Sequence, residues 1–114
     1  VSVNYKQIYA IKKQNEKKLL AVNPRLPEKS GIYFLTRTDE DGFRYAYIGQ
    51  AKKILSRLVQ HMSGYQHIDL SLKSHKLYSD DNPYGWKVNF LLYPESELDS
   101  MEQVWIKKYA ENGF

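Results

Sequence analysis

Gly31-Ile32-Tyr33-Phe34-Leu35-Thr36-Arg37, the loop Asp39-Glu40-Asp41-Gly42, and Phe43-Arg44-Tyr45-Ala46-Tyr47-Ile48-Gly49 form the stretch that decides the fold. Both flanking runs are rich in β-branched and aromatic residues. A short polar loop ending in glycine between two such runs is a hairpin signal. Antiparallel pairing centred near Glu40 would set Tyr33 opposite Tyr47 and place both phenols on one face.

Downstream, Lys52 to Met62 carries apolar residues at Ile54, Leu55, Leu58, Val59 and Met62, which at about 100° per residue cover an arc of roughly 140° on a helix. Arg57 and His61 lie one turn apart beside that arc, and Lys53 extends their stripe. Asp69 is placed to cap a short helix through Leu70, Leu72 and Leu77, and Ser79-Asp80-Asp81-Asn82-Pro83 reads as a loop. Trp86 to Tyr93 alternates as a third strand ended by Pro94, and a last helix runs from about Glu97 to Asn112, stopped at Gly113. Upstream, residues 4–22 read as weakly patterned helix, and Asn23-Pro24-Arg25-Leu26-Pro27 interrupts the chain. The expected fold is α+β, a small three-stranded antiparallel sheet flanked by helices in β-β-α-β-α order. The expected units are a helical extension over 1–29 and a domain over 30–114.

Composition narrows the class. The 114 residues hold 42% hydrophobic and 26% charged residues with a net charge of +4, which suits one folded domain and is too apolar for a disordered tail. Absence of cysteine excludes disulfides, thiolate nucleophiles and Cys-containing zinc sites. His67 and His75 flank a loop-rich segment and read as solvated. No window approaches the roughly 20 apolar residues of a membrane span, so a cytoplasmic protein without a membrane partner is expected. Ten tyrosines against four phenylalanines mark an excess of aromatic residues that carry a hydroxyl.

The last helix holds an anomaly. With Leu98 at zero, Trp105 falls near about 340°, Tyr109 near about 20° and Glu102 near about 40°, inside the apolar stripe. A carboxylate removed from water must be paired, hydrogen-bonded, protonated or metal-bound. A salt bridge to a neighbouring Lys or Arg would explain it as well as a catalytic role.

Gly31-Ile32-Tyr33 and Tyr47-Ile48-Gly49 resemble, letter for letter, the paired half-motifs that name the GIY-YIG nuclease family. Arg57 on the first helix and Glu102 on the last match that family's arginine and glutamate by order and element. His61 matches a histidine of some members. The resemblance covers about Ser30 to Phe114 and implies a metal-dependent endonuclease acting on DNA, with one Mg²⁺ or Mn²⁺ ion per active site held by Glu102. It further implies that Arg57 stabilises phosphate charge and Tyr33 serves as general base, its phenol depressed by a nearby cation. Tyr47 would orient water or Tyr33, and His61 would assist the nucleophile or contact phosphate.

Gly49, Lys52, Lys53 and Asn112 are the candidate substrate contacts. The family's asparagine follows the last helix, behind a pair like Gly113-Phe114. Asn112 precedes that pair, so the chain is expected to be a fragment of a longer protein, with any further DNA-reading domain outside it. The alternative is a non-catalytic or weakened DNA-binding module on the same fold. A third reading, a protein-interaction domain, leaves Glu102 in a salt bridge.

Overall fold

The computed structural model describes residues 4–114. Its elements are α1 (Tyr5–Val22), β1 (Gly31–Thr38), β2 (Arg44–Ala51), α2 (Ile54–Ser63), α3 (His67–His75), β3 (Lys87–Leu92) and α4 (Leu98–Glu111), the last preceded by one 3-10 turn at Glu95–Glu97. The described residues form an α+β fold, with four helices around a three-stranded antiparallel sheet of order β2-β1-β3. None of the described helices is long and apolar enough to cross a membrane.

β1 is the central strand and is buried from Gly31 to Leu35. Side chains alternate across a strand, so β1 divides the interior in two. Tyr33 and Leu35 join Ile54, Leu58, Ile68, Leu72, Trp86 and Val88 in a large core under α2 and α3, while Ile32 and Phe34 pack with Leu98 beneath α4. Leu19 of α1 and Leu26 of the Pro-rich link belong to the large core as well. Asn15 donates to Ser63 Oγ at 3.1 Å and Asn23 donates to the Val88 carbonyl at 2.9 Å, fastening α1 to α2 and β3.

The hairpin forms one position away from the expected centre. Tyr33 pairs with Gly49 and Leu35 with Tyr47, so the two tyrosines are diagonal neighbours rather than opposite one another. Asp39 sets this register, because its Oδ1 accepts from the Asp41 and Phe43 amides and its own amide bonds to the Phe43 carbonyl. Moving the centre by one residue shifts the partner by two. Side-chain parity is therefore preserved, and both phenols remain on the α2 face with ring centroids 6.4 Å apart.

Two boundaries also differ, and the stop of the last helix is the expected one. The third strand spans Lys87–Leu92, with Trp86 leaving the ladder for an isolated bridge to Leu77. α3 begins earlier than expected, with Gln66 at the cap position and Asp69 one turn inside. α4 ends with Asn112 as cap and Gly113 at φ +86°, the left-handed conformation that favours glycine at that position.

The observed register gives Gly49 a specific task. A Cβ there would lie 2.3 Å from the Tyr33 hydroxyl and 2.4 Å from its Cζ, so the phenol lies across β2 where a side chain is missing. Gly49→Ala should cost about 1–3 kcal/mol in a denaturant melt, as expected for overpacking a filled interior. Unchanged stability would show that the phenol does not lie there.

Candidate functional site

The Tyr33 ring crosses Gly49 toward the outer edge of β2, and burial leaves it 1% exposed. A buried phenol needs a hydrogen-bond partner, since an unpaired one is costly. Its partner is His61, whose Nε2 stands 2.7 Å from the Tyr33 oxygen. His61 is 2% exposed, although its wheel position placed it only beside the apolar arc of α2. The difference comes from α3, which folds back over α2 and covers that edge.

On its other side, His61 Nδ1 lies 2.6 Å from Oδ1 of Asp69, a carboxylate 4% exposed on the first turn of α3. An ionised carboxylate only accepts, so Nδ1 carries the proton and donates to Asp69. With one proton on the ring, Nε2 is then an acceptor and the Tyr33 hydroxyl donates to it. Asp69 is itself fixed, with its Oδ2 accepting the Gln66 amide at 3.0 Å. Gly64 leaves room for it: a Cβ there would fall 2.0 Å from Asp69 Oδ2. Tyr47 completes the cluster, its ring edge-on to His61 at 5.6 Å.

Arg57, one turn before His61, is half-buried beside the same phenol, with its Nη1 donating to Gln60 Oε1 at 3.2 Å. The Tyr33 phenol is pushed up to about 12, first by burial and then by the neighbouring Tyr47, with Arg57 pulling it down and Glu102 adding a smaller upward push. The expected depressed phenol is thus reversed in the free protein. Burial outweighs the nearby guanidinium, and Tyr33 is a neutral donor at neutral pH.

Glu102 is half-buried rather than enclosed, because α4 buries only Leu98 and rests Met101, Trp105 and Tyr109 on the sheet as a partly exposed row. Its Oε2 accepts from Gln50 Nε2 at 2.7 Å, and the same amide donates to Asp99 Oδ1 at 2.8 Å. Glu102 therefore approaches from the layer opposite Tyr33. The two meet at the edge strand, where Gly49 lies under the phenol and the next residue, Gln50, holds the carboxylate.

The fold thus gathers Tyr33, Tyr47, Arg57, His61 and Glu102 around one end of β2. Lys52 and Lys53 are exposed at the start of α2, with Lys53 as its cap residue. Asn112 is not brought to this end. It lies ten residues beyond Glu102 along α4, roughly 15 Å at helical rise, where its carbonyl accepts from Arg44 and its amide donates to Lys108. His67 and His75 are exposed.

No group of three or more His, Cys, Asp or Glu suited to a metal occurs among the described residues. Glu102 and Asp99, converging on one amide, nevertheless present hard oxygen donors. Mg²⁺ is commonly held by one or two carboxylates and otherwise by water and substrate phosphate, so this donor set fits such an ion. Sequence reading missed Gln50 and Asp99 as members of the site and took Asp69 only as a helix cap. The one available signal was an acidic residue just past a Ser63-Gly64 break that lets the chain fold back beside His61.

Comparison with protein-family models, with curated proteins and with solved structures finds no match to this chain.

The raised phenol has a consequence for stability. An unfolded tyrosine titrates near 10, so below that pH both states hold the proton and stability does not depend on this group. Between pH 10 and about 12 the unfolded state loses its proton first, and stability falls as pH rises. Alkaline titration followed by tyrosinate absorbance should show one phenol that ionises only near pH 12 or on unfolding. Tyr33→Phe should remove that component and leave the others, whereas a phenol at Tyr33 titrating near 10 would contradict the burial argument.

Proposed function

We propose that this chain is a metal-dependent DNA endonuclease domain of the GIY-YIG type. The observation that carries the reading is the convergence of both half-motif tyrosines, Arg57, His61 and Glu102 on one end of β2 although they come from four separate elements. Chance tripeptides would have no reason to share a location with these three residues.

Phosphodiester hydrolysis requires a deprotonated water, neutralisation of charge on the phosphoryl oxygens, and stabilisation of the leaving oxygen. Arg57 cannot lose its charge, and its fork of donors suits phosphate oxygens. In the free protein it lies beside the Tyr33 phenol. A phosphate is the stronger partner, so substrate draws Arg57 off and opens the phenol oxygen to water. Tyr33 is then the group that receives the water proton, and Tyr47 on the adjacent strand orients that water or the Tyr33 ring. Glu102, with Asp99 beside it, would hold one Mg²⁺ or Mn²⁺. When bound there, the ion supplies Lewis-acid stabilisation of the departing 3′ oxygen.

The charge distribution supports a polyanionic partner. α1 carries five lysines and one glutamate, a surplus equal to the whole net charge of +4, so the rest of the chain is balanced. Lys6, Lys13 and Lys17 share one exposed stripe of that helix, and Lys52 and Lys53 are exposed near Arg57. These groups suit sequence-independent contact with DNA phosphates, which weakens as salt rises.

Supercoiled plasmid incubated with the protein and Mg²⁺ or Mn²⁺ should be nicked, and chelation should stop the reaction. Glu102→Ala and Arg57→Ala should each lower the rate by about 100-fold or more, the scale of losing one electrostatic stabiliser. Salt-dependent DNA binding without metal-dependent nicking would replace this reading with a non-catalytic DNA-binding module. Full nicking by Glu102→Ala would contradict the assigned metal ligand.

A further inference from the structure

We propose that Asp69 is a positioning residue for the reaction: it fixes the tautomer of His61 so that the imidazole takes the Tyr33 proton while Tyr33 takes one from the attacking water. This rests on the nuclease reading for its chemistry and on the hydrogen-bond geometry for its structure. Neither the two half-motifs nor the helix pattern assigns Asp69 any role beyond a cap.

The three groups form an uninterrupted buried chain, with the Tyr33 oxygen 2.7 Å from His61 Nε2 and His61 Nδ1 2.6 Å from Asp69 Oδ1. Among the described residues that are at least partly buried, no side-chain polar atom fully removed from solvent lacks a partner. Burial makes this network directional. Because Asp69 accepts at Nδ1, Nε2 is held as the acceptor and faces the phenol. His61 is met by Tyr33 from β1, Tyr47 from β2 and Asp69 from α3, with Arg57 one turn back on its own helix. Among the described residues, the charged group hydrogen-bonded to the ring is the Asp69 carboxylate, which favours the imidazolium formed on proton transfer.

The proton count closes. One O–H bond of water breaks as the new oxygen–phosphorus bond forms, and the released proton binds the Tyr33 oxygen. The original hydroxyl proton of Tyr33 moves to His61 Nε2. The bond from phosphorus to the 3′ oxygen breaks, its electron pair leaves with that oxygen, and the oxygen takes a proton from solvent. His61 then returns its proton through Tyr33 to solvent. Because the phenol is never a free phenolate in this sequence, its raised proton affinity in the free protein is no obstacle.

Asp69 also accepts the Gln66 amide, so its removal would disturb α3. Asp69→Asn keeps size and one acceptor oxygen but turns an amide donor toward Nδ1, which favours the proton on Nε2 and leaves the Tyr33 hydroxyl without an acceptor. Gly64→Ala disturbs the same carboxylate from outside, since its Cβ would collide with Asp69 Oδ2, while Gly64 backbone angles suit any residue.

Ring-nitrogen NMR of the metal-free wild-type protein at neutral pH should show His61 with a protonated Nδ1 and a bare Nε2, and Asp69→Asn should reverse the pattern. In metal-dependent nicking, Asp69→Asn should lower kcat by about 100-fold or more with KM nearly unchanged, and Gly64→Ala should lower kcat in the same direction. A wild-type His61 protonated on Nε2 would overturn the proposal, as would full kcat in a folded Asp69→Asn variant. If the wild-type protein nicks no DNA under any metal, the nuclease reading and the catalytic role assigned to Asp69 both fail. The NMR result then still decides whether Asp69 sets the tautomer.

Discussion

The hydrogen bond between the Tyr33 hydroxyl and His61 is the interaction on which the arrangement depends. It joins the central strand to α2 inside the large core, and a phenol and an imidazole can be buried there only because each satisfies the other. Asp69 terminates the chain, and its carboxylate is held in turn by the first turn of α3. The position of α3 against α2 is thus tied to the same polar line that orients Tyr33. Buried networks of this kind stabilise the fold only when every member is satisfied.

Gly49 is the counterpart on the strand side. A residue with a side chain at that position would push the phenol away from β2 and lengthen the path to His61, so a backbone feature controls a side-chain network. β2 is also an edge strand, which allows two layers of the molecule to meet there. Tyr33, His61 and Arg57 approach from the α2 side, while Glu102 and Asp99 approach from α4, joined through Gln50. In the proposed nuclease, an arginine and a carboxylate pair on opposite sides of one sheet edge would face a phosphodiester together rather than form a direct ion pair.

The element order was legible because each element has a distinct period: two for the strands, 3.6 for α2. The apolar spacing of Ile54, Leu55, Leu58 and Val59 matches the residues that are buried. The hairpin was legible in its existence and not in its centre. The position of the turn depends on Asp39 capping the loop from its N-terminal side, a side-chain choice invisible to a count of turn residues. Glu102 was conspicuous on a helical wheel, yet the wheel treats every stripe as a core, whereas α4 lies on a three-stranded sheet too narrow to enclose it. Asp69 was unreadable as a partner of His61 because that contact follows from the angle between α2 and α3, which the intervening Ser63-Gly64 break permits and does not announce.

In the proposed reaction, the phenol and imidazole direct a water molecule at phosphorus with departure of the 3′ oxygen. The most direct measurement is DNA cleavage in water enriched in heavy oxygen, followed by mass analysis of both ends at the break. One heavy oxygen in the new 5′ phosphate and an unlabelled 3′ hydroxyl are expected. A 5′ phosphate without the label, or a label carried on the 3′ end, would contradict that reaction.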